Sequence, residues 1–272
     1  MPQDPREVLT RPAPPPDLTV RYGEHPDHVA DVWLPDSDGG ARPGSGTGAR
    51  PLVLFLHGGF WKAEYDRAHT APLASDLAER GWPVASLEYR RVGQPGGGWR
   101  GTLDDVAQAV AAVPGLLAAR VPGLDPARPV LAGHSAGGHL ALWAAHRAAH
   151  SDSPPRGVLA LAPVASLAEA YRRHLDDDAV VGLLGGDPSR VPDRYRQADP
   201  AALVPLGVPA VVLHGTEDVQ VPLAVSERYV DAARSAGDPV QLTVLPGVEH
   251  FGLIDPRSSA WPAVLAALTR LG

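Results

Sequence analysis

The run Leu52-Val-Leu-Phe-Leu56 is apolar at every position and stops at His57-Gly-Gly59. In a strand, successive side chains point to opposite faces, so an uninterrupted apolar run means that both faces are buried. A sheet covered on two sides offers that environment, and its parallel strands need crossover connections, usually helices. The chain repeats this unit. Residues 71–80 have helical spacing and end at Gly81, and 83–89 read as the next strand. Residues 102–117 are helical, with Thr102 as a candidate cap and Asp104 and Asp105 in the first turn, where acidic groups suit the helix dipole. Further strands are expected at 129–133, 158–161, 208–213 and 240–245, and further helices at 136–150, 223–235 and 260–271. Residues 18–22 and 28–34 read as a pair joined by a turn at 24–27, forming an antiparallel edge. The expected fold class is α/β, with a mostly parallel central sheet and helices on both faces.

Three stretches depart from the alternation. Residues 1–17, rich in Pro and charge, are expected to form a loose N-terminal arm. Residues 36–50 are Asp, Ser, Gly, Arg and Pro without periodicity and read as a surface loop. Residues 164–207 mix short helical pieces with Asp176-Asp-Asp178 and Gly185-Gly186, and read as a small cap-like insertion. The 272 residues would nominally allow two domains, but the repeated unit points to one spanning 18–272.

Composition closes several chemical routes. The chain has no cysteine, which excludes thiol nucleophiles, thiolate metal sites and disulfide scaffolds. Lys62 is the only lysine, so P-loop and Schiff-base chemistry would rest on it alone. The net charge of −7 argues against nucleic acid or an anionic membrane as partner. No apolar stretch is long enough to span a membrane, and the N-terminus lacks the pattern of a signal peptide. A cytoplasmic protein acting on a small molecule, with no metal and no cofactor, is expected; a homodimer is left open.

The chemistry is carried by three local motifs. Gly133-His-Ser135-Ala-Gly137 lies between an expected buried strand and an expected helix. That strand–turn–helix context is what a nucleophile elbow requires, with Ser135 held above the sheet at a helix N-terminus. The bland alternative is a glycine-rich turn with a capping serine. A serine nucleophile needs a base. His250 sits in the loop after the last strand, and Asp218 in the loop after the preceding one, both at the carboxyl edge where open sheets bind ligands. The order Ser135, Asp218, His250 is one of the known triad orders. Glu217 is the adjacent competitor for the acid. In His57-Gly-Gly59-Phe60-Trp61 the glycines expose backbone N–H groups to an oxyanion. Gly59 and Phe60, with Ala136 after the nucleophile, are the expected donors. Phe60, Trp61 and Phe251 are candidates for an apolar substrate wall.

Other features of the chain have simpler readings. Gly44, Gly46 and Ala49 superficially match a dinucleotide fingerprint, but without the strand and helix it needs. His146 and His150 have metal-ligand spacing on a helix, yet a solvated face is the simpler reading. Asp176-Asp-Asp178 reads as a solvated loop. His139 is either a pocket residue or a packed helix histidine, and residues 93–98 either a pocket rim or a surface connection.

Over roughly residues 18–272 the chain resembles the α/β-hydrolase superfamily, in its esterase/lipase group. His57-Gly-Gly-Phe-Trp61 resembles the H-G-G-x-W motif of the kynurenine formamidase (arylformamidase) branch, and Gly133-His-Ser-Ala-Gly-Gly-His139 is similar to the elbow of that branch. The resemblance implies hydrolysis of N-formylkynurenine to kynurenine and formate. Its alternative is a carboxylesterase acting on short-chain or aryl esters. A prolyl-oligopeptidase-type peptidase and a non-catalytic binding protein on the same scaffold complete the set.

Overall fold

Residues 4–35 and 50–272 are described by the structure, a computed structural model. The expected 36–50 loop, except Arg50, and the Gly44, Gly46 and Ala49 pattern lie outside the described residues.

Among the described residues eight strands form one sheet: β1 Leu18–Arg21, β2 Val29–Trp33, β3 Val53–Leu56, β4 Val84–Leu87, β5 Val130–His134, β6 Gly157–Leu161, β7 Ala210–Gly215 and β8 Val240–Leu245. Their order is β1-β2-β4-β3-β5-β6-β7-β8. The first two strands are antiparallel to each other, β2 is antiparallel to β4, and the remaining pairs are parallel. The longer helices are α1 Ala71–Glu79, α2 Gly101–Ala118 and α3 Ala136–Ala148. Three short ones follow in the insertion, α4 Leu167–Arg172, α5 Ala179–Leu184 and α6 Pro192–Ala198. The chain continues with α7 Leu223–Ser235 and α8 Trp261–Leu271.

The uninterrupted run over β3 has its explanation in two separate cores. Leu52, Leu54 and Leu56 belong to the core shared with Leu103 and Val106 of α2, Leu140 of α3 and Tyr229 of α7. Val53 and Phe55 belong to the other, with Leu73 and Leu77 of α1 and Val264 and Leu268 of α8. Each fully buried leucine contributes about 2 kcal/mol of transfer free energy.

Thr102 does not cap its helix, which begins one residue earlier. Its hydroxyl donates to the Arg90 carbonyl at 2.5 Å and accepts from the Gly98 amide at 3.0 Å. Asp105 is buried rather than solvated in the first turn, and accepts from Arg90 Nε at 2.8 Å. Both residues fasten the loop after β4 to α2.

The N-terminal segment is not a loose arm. Asp4 accepts from the Arg6 amide at 2.9 Å and opens a 3-10 turn over Pro5–Leu9. Val8 is fully buried in the core with α1 and α8. Arg11 grips both oxygens of Asp255, with Nη2 2.8 Å from Oδ2. The aliphatic and charged anchors together hold this segment against a second 3-10 turn, His250–Ile254. No helix among the described residues is long and apolar enough to cross a membrane.

Candidate active site

Ser135 joins β5 to α3 with φ 56° and ψ −119°, a conformation uncommon for a residue with a side chain. Its amide donates to the Leu161 carbonyl at 2.8 Å, and its carbonyl accepts from the Val164 amide at 3.1 Å. These bonds hold the strained turn to the next strand. A Cβ at Gly137 would overlap the carbonyl oxygens of Leu56 and His57, so only glycine lets α3 start this close to β3.

Asp218 follows β7 and His250 follows β8. His250 Nδ1 lies 2.6 Å from Asp218 Oδ2. The other carboxylate oxygen accepts from the amides of Gln220 at 2.9 Å and Val221 at 2.8 Å. His214, at the end of β7, reaches Oδ2 at 3.3 Å. Burial alone would raise the Asp218 pKa, but hydrogen bonds from His214 and His250 and the charge of His250 outweigh it and hold the carboxyl far below its usual value. An ionised Asp218 fixes the His250 proton on Nδ1 and leaves Nε2 as an acceptor. Glu217 is not in this pair.

Ser135 and His250 open onto one cavity of about 80 Å³. It is lined also by Gly58, Gly59, Phe60, Tyr65, His69 and His134, and by Phe251 and Asp176. No hydrogen bond joins the Ser135 hydroxyl to His250 among the described residues, a looseness common in unliganded sites.

The loop after β3 turns through three residues of positive φ: Gly59 (108°), Phe60 (47°) and Trp61 (60°). A side chain on Gly59 would collide with the Tyr65 ring. Among the described residues, the amides of Gly59, Phe60 and Ala136 donate to no backbone carbonyl.

The sequence-predicted residues thus divide. Ser135, His250, Gly59, Phe60 and Phe251 line the cavity, with Asp218 behind His250. Trp61 does not: it is fully buried in the core, and its Nε1 donates to His139 Nδ1 at 3.2 Å. The positive φ at Trp61 turns the indole toward α3 instead of the pocket. His139 is accordingly the packed alternative. Because its Nδ1 accepts from Trp61, Nε2 carries the proton and donates to the Ala198 carbonyl at 2.9 Å. Burial pushes its pKa down to about 4, consistent with a neutral ring. His146 donates from Nδ1 to the Pro205 carbonyl at 3.3 Å. Residues 93–98 do not line the cavity, whereas Asp176 does, paired with Lys62 at 2.7 Å.

Two supporting residues escaped the sequence reading. Glu88, directly after β4, is 1% exposed. It accepts from His57 Nε2 at 2.9 Å and from the Arg67 and Tyr89 amides at 3.0 Å each. Burial pulls its pKa up, yet the His57 ring, Arg91 and these donors prevail and hold it at about 2. This carboxylate anchors the loop that carries Gly59. His134, inside the elbow motif, reaches back to His250. A charged residue at the end of a buried apolar strand was the available signal for Glu88; His134 had none beyond its place in the motif.

Relatives and structures point one way. The chain is 29% identical to a probable isoprenylcysteine alpha-carbonyl methylesterase of Oryza sativa, over 86% of this chain and 57% of that protein. It is 29% identical to the probable carboxylic ester hydrolase LipM of Mycobacterium tuberculosis, over 91% and 59%. For the esterase LipQ of the same organism the identity is 30%, over 82% and 54%. The chain therefore spans little more than half the length of these curated relatives. A carbohydrate esterase from gut microbiota superposes with a TM-score of 0.75 at 20% identity, covering 95% of this chain and 99% of that one. Esterase B from Lactobacillus rhamnosis does so at 0.75 and 18%, covering 98% and 90%. These likenesses and the sheet order establish the α/β-hydrolase fold. A family model described as BD-FAE matches residues 41–232, well over half of the sequence, and the chain belongs to that family.

Proposed function

We propose that the chain is a serine hydrolase of carboxylic esters with a short acyl group. The observation that carries this reading is the meeting of Ser135 and His250 in one cavity, with Asp218 2.6 Å behind the imidazole. His250 Nε2 takes the proton of Ser135 as the hydroxyl attacks the ester carbonyl. The oxyanion settles on the amides of Gly59, Phe60 and Ala136, where each donor is worth on the order of 100- to 1000-fold in rate. His250 then protonates the leaving alcohol. Water, activated by the same ring, releases the acid and restores Ser135. The space beside the nucleophile is about 80 Å³, and this modest volume supports a short acyl group over a long one.

This reverses the ranking expected from the sequence, in which an arylformamidase stood ahead of a carboxylesterase. The relatives bear esterase names. The residue of the H-G-G-x-W motif expected to wall an aryl group, Trp61, is in the core. The test compares kcat/KM for p-nitrophenyl acetate, p-nitrophenyl octanoate and N-formylkynurenine, with fluorophosphonate labelling of Ser135. Acetate is expected to lead, and Ser135→Ala to abolish both turnover and labelling. Turnover that persists in folded Ser135→Ala protein refutes the mechanism; a preference for N-formylkynurenine restores the formamidase.

A further inference from the structure

The N-terminal segment supplies two residues, Arg6 and Leu9, to the lining of the Ser135 cavity. Arg6 lies over Phe251, with its guanidinium carbon 5.9 Å from the ring centroid. Phe251 in turn meets the His250 ring edge-on, at 5.2 Å between centroids. Guanidinium, phenyl ring and imidazole therefore form one continuous line from the cavity mouth to the base.

The other ionisable groups around this cavity are accounted for. Asp176 is neutralised by Lys62. His69 is kept neutral by burial and the neighbouring His57, with its pKa down at about 3. His134 is pushed well below its usual range by burial and His250. Among the described residues Arg6 forms no ion pair, and its side chain is exposed at the mouth while its turn is pinned by buried Val8 and by Arg11 on Asp255. A cation with no ion-pair partner among the described residues, held over an aromatic face beside the reacting groups, is arranged to take an anion, and the flat fork of a guanidinium suits a carboxylate. The chain as a whole carries −7, so its overall field does not draw anions in.

We propose that Arg6 forms a carboxylate-binding subsite at the mouth of the Ser135 cavity, and that the ester hydrolysed carries a carboxylate on its alcohol portion. The assignment to the alcohol side follows from position: Arg6 reaches the cavity across Phe251, which packs on His250, the base that protonates the leaving alcohol. The proposal rests on the esterase reading above.

The test pairs 4-acetoxybenzoate with its neutral counterpart 4-acetoxybenzamide, which release the same acetyl group. In the wild-type protein the ratio of kcat/KM values, anionic over neutral, is expected to favour the benzoate. Arg6→Ala lowers that ratio by about threefold to fivefold, as expected for an exposed charged hydrogen bond. Arg6→Glu lowers it further, and Arg6→Lys, which keeps the charge without the fork, falls between wild type and Arg6→Ala. Binding of 4-hydroxybenzoate, followed by ligand-observed NMR, is read in parallel because it needs no turnover. It is expected to weaken in Arg6→Ala by a similar factor. A ratio and a binding constant that stay within twofold of wild type in both Arg6→Ala and Arg6→Glu overturn the subsite. Absence of hydrolysis of either ester by wild type, with binding still dependent on Arg6, instead overturns the esterase reading and leaves the carboxylate site standing.

Discussion

His134 donates from Nε2 to the main-chain carbonyl of His250 across 3.1 Å, with the two ring centroids 4.4 Å apart. The residue before the nucleophile thus holds the backbone of the residue proposed as base. A carbonyl can only accept, so the proton of His134 is on Nε2, and burial together with His250 keeps the ring neutral. His134→Phe keeps a flat aromatic ring and removes the donor. We expect kcat for p-nitrophenyl acetate to fall about tenfold with KM little changed, and stability to fall by about 1 kcal/mol. His134→Gln, which can offer an N–H to the same carbonyl, should recover part of the rate. Steady-state kinetics and urea denaturation read both effects; an unchanged kcat in His134→Phe would remove His134 from any positioning role.

Asp218→Asn should retain the fold, because an amide oxygen can still accept from Gln220 and Val221. What it loses is the negative charge that keeps the His250 proton on Nδ1. The wrong tautomer presents an N–H to Ser135 in place of a lone pair. On the precedent of triad enzymes the expected loss of kcat is on the order of 1,000- to 10,000-fold. Pre-steady-state measurement of acylation checks it, and a loss of only a few-fold would mean that another group orients the imidazole. Glu217→Gln, by contrast, should have little effect, since Glu217 takes no part in the pair.

What was legible in the sequence was what is local. Ser135 sits between its glycines within five residues, and a strand end followed by a short loop marks Asp218 and His250. The run over 52–56 announced a two-sided sheet because its unbroken apolarity is written in consecutive residues. The misreadings share the opposite property. Trp61 looked like pocket wall because it adjoins the glycines, but its direction is set by a positive φ and by a partner 78 positions away. Thr102 had the letter of a cap, yet its hydroxyl is engaged by the loop after β4. The N-terminal segment had the composition of an arm, and its anchorage depends on Asp255, 244 positions from Arg11. Pairings over such separations leave no periodic trace in one sequence.

The neutral histidines, His134 and His139 buried and His69 partly so, make acid stability a further expectation. His69 and His139 have folded-state pKa values of about 3 and about 4, and His134 lies well below its ordinary value. In the unfolded chain these rings titrate near pH 6.5. Between that pH and their folded values the unfolded state binds more protons, so stability is full above about pH 6.5 and declines as pH falls. Glu88, held at about 2, adds its own loss below about pH 4.5. The midpoint of urea unfolding should therefore drop already between pH 6.5 and 5, before most carboxylates titrate. A midpoint that is flat over that interval would contradict the neutral assignment of these rings.

The pair Trp61–His139 gives the sharpest test of core against pocket. Trp61→Phe removes the N–H that satisfies His139 Nδ1 and leaves a buried acceptor without a partner, a cost of about 1–3 kcal/mol. The smaller ring adds a void whose cost depends on how far α3 can settle. In a chain of this size the melting temperature should fall by several degrees. If the cost arises from the lost hydrogen bond, it must shrink when His139 is already Leu, because no acceptor then remains to be stranded. The coupling energy from the double-mutant cycle should be on the order of 1 kcal/mol. An indole that walled the pocket would give the reverse pattern: a changed KM, an unchanged melting temperature and no coupling to His139.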